Sequence, residues 1–469
     1  MVSAPGGHTA SSTTERPALT SRSRRLGDGS IAGILDTVDD HGHCWSAPDG
    51  LELVGRGVAT ELTVTRPDRI ERVRDRAAEL FAGIDHDGPP ASRPRAVGGF
   101  TFHGAREGGS PPNRTDETSR DRVDETAPGA RRAMWRGFPP ARFVVPTVQV
   151  TVDDGERWVT VVDREDEVAD RLGDVVSALE SAPRDRTDGP TPTIENRARS
   201  TTTDEWHRQV DEAVHAIATT DLEKIVLAQA LTVDLDQPVD PISTLGRLGG
   251  RYPECYRFSF DGTAGGTFFG APPERLIAKR GDRFETEALA GSVPRGETPD
   301  EDSAHAERLR HSDKLDAEHA FVVDAIRSNL DPIAESLTVD TQQIKRLATI
   351  QHLQTPMFGR LDGGTHVLDV VAALHPTPAV GGVPQSRACE SIRSIEPIDR
   401  GWYAAPIGWF DAHGDGEFAV GIRSGVANGT ALSVFAGNGI VAGSDAAEEA
   451  DEIELKLRSI IDEFGRETA

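Results

Sequence analysis

Apolar positions along the chain change period several times, and each change predicts an element. Leu51 to Val64 alternates apolar and polar residues, as half-buried strands do. Pro67 to Ile84 places Ile70, Val73, Ala77 and Leu80 on one face, which predicts a helix. Phe143 to Val152 and Trp158 to Val162 read as strands, the first interrupted by Pro146. Thr203 to Thr219 has helical spacing, and Lys224 to Val233 is an apolar strand. Arg257 to Phe260 and Thr267 to Phe269 are short strands, the second running into Gly270-Ala271-Pro272-Pro273-Glu274. His305 to Leu330 predicts one long helix. Trp402 to Trp409, Glu417 to Ser424 and Ala431 to Ala436 predict strands parted by Gly and Asp turns, and Ala446 to Ile461 a final helix. Strands and helices follow one another without regular βαβ alternation. The expected class is therefore α+β, with extended antiparallel sheets and flanking helices.

The 469 residues allow two or three domains or one unusually large one, and the last is expected here. Residues 1–26, rich in Ser, Thr, Arg and Gly without periodicity, predict a flexible tail. Residues 27–190 form a first part carrying a polar insertion near 104–132, and Ala182 to Pro192 is the best boundary. Residues 200–466 are densest in signals. A net charge of −26 opposes phosphate backbones and anionic headgroups, so no nucleic-acid or membrane partner is expected. The N-terminal stretch has no apolar signal-peptide core, and three scattered cysteines (Cys44, Cys255, Cys389) form no CxxC pair, which suits a reducing cytoplasm. GxGxxG and GxxxxGK[ST] are absent.

Only five of the 51 basic residues are lysines: Lys224, Lys279, Lys314, Lys345 and Lys456. With the carboxylate excess this composition resembles salt-adapted, halophilic proteins; an arginine-rich codon bias is the alternative. Either way, a retained lysine marks a position where ammonium does what guanidinium cannot, such as losing a proton. On the long helix, Glu318 falls among Leu315, Phe321, Val322 and Ala325, where a carboxylate needs a partner or a metal. Lys314 could supply that partner at i−4. On the last helix Glu449, Glu452 and Lys456 share one face, which suits either Mg²⁺ ligation or solvated i,i+4 pairs. Periodicity leaves both questions open.

In order, Glu223-Lys224-Ile225-Val226-Leu227-Ala228, Gly270 to Glu274, Glu287-Ala288-Leu289-Ala290-Gly291-Ser292, Ser312 to His319, and His352-Leu353-Gln354-Thr355-Pro356 resemble segments of the chorismate-utilising enzymes, isochorismate synthases most closely. The series continues through His375 to Gly382, Glu396 to Gly401, Gly414 to Arg423, Ala436 to Val441 and Glu449 to Lys456, covering about residues 200–465. The resemblance implies an isomerase that moves the hydroxyl of chorismate with Mg²⁺ as cofactor: water adds at C2 and the C4 hydroxyl leaves. It implies Lys224 as the base for water and Glu274 as the acid for the leaving hydroxyl. Glu318, Glu449 and Glu452 match metal ligands. Arg423, Lys456 and the backbone at Gly437 and Gly439 match groups holding substrate carboxylates, with Tyr403 as a further contact. Gly291, Ser292, His352 and Thr355 match residues lining the pocket.

Lys224 points to the water-using branch rather than the ammonia-using anthranilate synthases, and Ala290 stands where aminodeoxychorismate synthases carry lysine. Gln229, Gln351 and Asn438 depart from the family pattern at positions that bear on pocket shape. The expected protein is a monomeric, cytoplasmic, menaquinone-pathway isochorismate synthase. A salicylate synthase, which goes on to eliminate pyruvate, and a non-catalytic chorismate-binding subunit are the rivals.

Overall fold

Two long antiparallel hairpin-like pairings organise the molecule. Lys224–Leu235 pairs with Ala431–Val441 in unbroken register, Lys224 opposite Val441 and Leu227 opposite Asn438. Arg283–Pro294 pairs with Ile350–Leu361, with a bulge at Gly291 that puts Ser292 opposite His352. The computed structural model describes residues 19–27, 42–48, 50–104, 134–181 and 190–466, apart from the side chain of Lys314. Among them, strands gather into a 14-stranded and a 10-stranded sheet. Every pairing described is antiparallel except Leu19–Arg25 with Ile84–Asp87 and Thr193–Arg199 with Gly465–Arg466. The expected α+β class is observed.

The two halves of the sequence share both sheets. Gly42–Ser46 lies beside Arg257–Asp261 in the larger, and Arg95–Phe100 beside Pro406–Asp411 in the smaller. A large hydrophobic core joins them, from Phe100 and Phe143 to Phe268, Trp402 and Ile453, and a smaller valine cluster packs around Val150 and Val161. Trp135 and Tyr403 stack on Phe435 from its two neighbourhoods, with centroids 5.3 and 5.2 Å away. Aromatic contacts of this kind add about 1 kcal/mol each beyond the area they bury. The strand Lys224–Leu235 is buried almost throughout, which explains its continuous apolar run rather than an alternation.

Several expectations need correction. Leu19–Arg25, assigned to the flexible tail, forms a strand between Ile84–Asp87 and Glu156–Arg164; residues 1–18 lie outside the described residues. The insertion near 104–132 and most of the 182–192 boundary also lie outside them. The single helix His305–Leu330 is two helices, Pro299–Arg310 and Asp313–Leu330. The break comes at His311, which leaves helical geometry, and at Ser312, whose hydroxyl caps the second helix at Leu315 N–H. Such a cap contributes about 1 kcal/mol and outweighs apolar periodicity running through it. The strand expected from Trp402 begins only at Pro406, because Ala404 adopts φ 58°. Glu417 to Ser424 divides into Gly416–Val420 and Ser424–Asn428, turning at Arg423 with φ 49°.

Candidate active site

The two long strand pairs face the helices Asp313–Leu330 and Ala446–Ile461 across a cavity of about 190 Å³. Of the fourteen site residues expected from sequence, thirteen line it: Thr355 does not. Thr355 is buried behind the wall, its hydroxyl 2.8 Å from His319 Nε2. Its side chain therefore supports the helix carrying Glu318 rather than meeting a ligand.

Lys224 opens the central strand and is 2% exposed. Its ammonium donates to Glu318 Oε1 at 2.8 Å, so Glu318 takes a partner from across the cavity. Gly439 lies directly over this pair. A Cβ there would stand 2.8 Å from Lys224 Cε and 3.3 Å from both Nζ and Glu318 Oε1, so only glycine leaves the lysine its place. Gly291, at the bulge, has φ +68°, a conformation that favours glycine. It turns its carbonyl to His352, whose Nδ1 donates at 3.2 Å. Burial, with Arg423 and Lys456 nearby, pushes the His352 imidazole down to about 3. The ring is therefore neutral, and Nε2 is a buried acceptor with no partner among the described residues.

Glu274 ends the turn Gly270 to Glu274 and is 4% exposed. Burial is the main reason its carboxyl is raised to about 8, and the Glu287 carboxylate adds to it; Lys345, Lys224 and the Thr377 hydroxyl pull the other way. At neutral pH this carboxyl carries a proton. Glu452 is the opposite case. Burial alone would raise it, but Lys456, Asn438 and Ser292 hold it down to about 2. Ser292 Oγ lies 3.1 Å and Lys456 Nζ 3.0 Å from Glu452 Oε1, while Asn438 donates to Oε2 at 2.9 Å and also to Glu449.

Arg423 also lines the cavity, and its guanidinium forms no salt bridge among the described residues. Tyr403 lies near, its hydroxyl 3.2 Å from where a Gly437 Cβ would stand. Burial raises that phenol, which stays protonated and able to donate. Lys456 donates to Gly437 O and Asn438 Oδ1, both at 2.9 Å.

Glu318, Glu449 and Glu452 supply oxygen donors of the type Mg²⁺ takes, on two helices facing one cavity. As the side chains lie, no three acids, histidines or cysteines among the described residues stand close enough to enclose an ion. Lys224 and the Asn438–Lys456–Ser292 set satisfy these carboxylates instead. The donors fit a hard divalent ion in kind, and would exchange these partners to hold one.

Sequence reading passed over three supports of the site. Asn438 bridges two of the acids and the lysine, and only its departure from the family pattern signalled it. Lys345 lies against the Glu274 turn, and its rarity as a lysine was the signal. Arg400, 2% exposed, clamps the Lys224 strand by donating to Val226 O at 2.7 Å while paired with Glu396. Among the described residues no helix is long and apolar enough to cross a membrane.

A family model described as chorismate binding enzyme matches residues 10–465. The salicylate biosynthesis isochorismate synthase of Pseudomonas aeruginosa is 33% identical over 424 residues, covering 89% of this chain and 83% of that one. The isochorismate synthase MenF of Bacillus subtilis is 35% identical over 344 residues, 72% of each chain. Among solved structures, the menaquinone-specific isochorismate synthase MenF from Escherichia coli shares the fold, with a TM-score of 0.76 at 23% identity over 95% of both chains. The chain belongs to the family of chorismate-binding enzymes, and the relatives just named within it are isochorismate synthases.

Proposed function

We propose that this enzyme is a Mg²⁺-dependent isochorismate synthase serving menaquinone biosynthesis. The observation that carries the reading is one cavity lined by a buried lysine and by a carboxyl protonated at neutral pH. Water attacks C2 of chorismate and gives its proton to Lys224 as the C2–O bond forms. The ring double bonds shift, the C4–O bond breaks, and Glu274 gives its proton to the departing hydroxyl, which leaves as water. One water enters and one leaves, so substrate and product are isomers, and proton exchange with solvent resets both groups. Lys224 takes this proton as the free amine, and Glu318 Oε1, 2.8 Å from its Nζ, holds the side chain in the cavity. Glu274 needs its raised pKa, since an ionised carboxylate has no proton to give.

Arg423 offers a two-pronged fork to a substrate carboxylate, with the Tyr403 hydroxyl beside it. Glu318, Glu449 and Glu452 would hold Mg²⁺, whose charge offsets that of the other substrate carboxylate. The menaquinone assignment is supported by the MenF names of two similar proteins.

The test is incubation of purified protein with chorismate and Mg²⁺ in high salt, with products resolved by chromatography. Isochorismate as the sole product is expected. Pyruvate release without an added lyase would instead identify a salicylate synthase, and unaltered chorismate would identify a binding subunit. Restored growth of a menaquinone-requiring strain lacking its own isochorismate synthase tests the pathway.

A further inference from the structure

We infer that Glu287 and Lys345, an ion pair outside the cavity, position and tune the Glu274 carboxyl; this deepens the reading of Glu274 as the general acid and rests on it. Neither side chain lines the cavity, so neither touches the substrate. Both touch the backbone on either side of Glu274. Lys345 Nζ donates to Pro273 O at 2.9 Å, and Glu287 Oε1 accepts from the backbone N–H of Arg275 at 3.2 Å. The pair is closed by Lys345 Nζ at 2.8 and 3.1 Å from the two Glu287 oxygens, with Gln354 donating to the second. Glu274 O accepts from Val420 N–H at 3.1 Å. The turn contains two prolines, which supply no N–H of their own to fix it. Two side chains, from strands on either side of Ile350–Leu361, thus hold the peptide units before and after the acid.

The same pair sets the local field. Glu287 is negative, lies within the buried surroundings of Glu274, and opposes a second negative charge there. Lys345 limits that opposition. The other groups facing Glu274 are Lys224, from the central strand, and the Thr377 hydroxyl. Cys255 lies beside the pair as a neutral thiol, pushed up to about 12 by burial. Lysine is rare in this chain, and at position 345 it provides a compact ammonium that reaches a carbonyl and a carboxylate at once.

The experiment is the pH dependence of kcat and KM for chorismate, from pH 6 to 10, in the wild type and in Glu287→Gln, Lys345→Met, Lys345→Arg and Glu274→Gln, each checked by thermal melting. The wild type loses activity as pH rises through the Glu274 pKa near 8. Glu287→Gln keeps an acceptor for Arg275 N–H but removes the charge, so this limb moves down by about one unit. Lys345→Met leaves Glu287 unopposed and moves it up by about one unit, while Lys345→Arg lowers kcat and leaves the limb in place. KM stays close to wild type in all three. A limb that stays put in Glu287→Gln, or moves the same way in Glu287→Gln and Lys345→Met, overturns the inference, since a merely structural pair would lower kcat without moving it. If Lys345→Met does not fold, Glu287→Gln and Lys345→Arg decide. A limb retained in Glu274→Gln would instead belong to another group, removing the acid assignment and the inference with it.

Discussion

The two ends of one cavity hold the same side chain in opposite states. Glu274 is enclosed, faces a second carboxylate, and keeps its proton up to about pH 8. Glu452 is half-buried on a helix and accepts from lysine, asparagine and serine, so it stays ionised down to about pH 2. Burial acts on both in the same direction. The difference is the charges and donors that each carboxyl meets, and that difference divides the cavity into an end with a protonated carboxyl and an end with an ionised one.

The largest way to break this comparison is to remove the proton chemistry. Glu274→Gln and Lys224→Ala should each lower turnover by roughly 100- to 10,000-fold, with chorismate binding retained in a fluorescence or calorimetric titration. Turnover near wild type in either variant would remove that group from the mechanism. Next comes the Glu452 end. Glu452→Gln should raise the Mg²⁺ concentration giving half-maximal activity by at least the roughly 10- to 100-fold that loss of even an outer partner costs a metal site. Equal activity of the wild type with and without a chelator would refute the metal assignment.

Stability should separate the two ends by sign. Glu274 has a folded pKa above its unfolded one, so the folded state binds the extra proton between about pH 4.5 and 8, and stability from this group falls as pH rises through that window. Glu274→Gln should therefore be more stable than wild type, with a margin that grows from pH 5 to pH 8 in thermal melts. Glu452 has a depressed folded pKa, so its contribution is present above about pH 4.5 and is lost as pH falls toward 2. Glu452→Gln should lose stability at pH 7 and approach wild type in acid. Margins of the same sign in both variants would contradict the comparison. The smallest effect expected is that of Ser292→Ala, which removes one hydrogen bond to Glu452, about 1 kcal/mol, and should shift the Mg²⁺ response only a few-fold.

Legibility from sequence followed the same division. The strand–turn series from Lys224 to Lys456 placed thirteen residues on one cavity because local motifs carry both backbone shape and chemistry. Thr355 failed because alternation along Ile350–Leu361 does not say which face meets the cavity; the bulge at Gly291 on the partner strand alters the register. Helix existence was readable from periodicity, but the break at Ser312 was not, since the apolar pattern runs through the cap. Leu19–Arg25 was hidden because a strand held between two others needs no apolar signature of its own. The pairing of first-half strands with second-half ones is set by contacts far apart in the chain, which no local pattern encodes.

The sparse lysines have a practical consequence. Lys224 and Lys279 are buried against Glu318 and Asp415, and Lys345 and Lys456 are tied to Glu287 and Glu452. An amine-acylating label would therefore find these four occupied in the native state, and its slow uptake at Lys224 and Lys456 would report on the cavity itself. Slower labelling of both when chorismate is added would turn an ordinary bioconjugation reagent into a footprint of ligand occupancy.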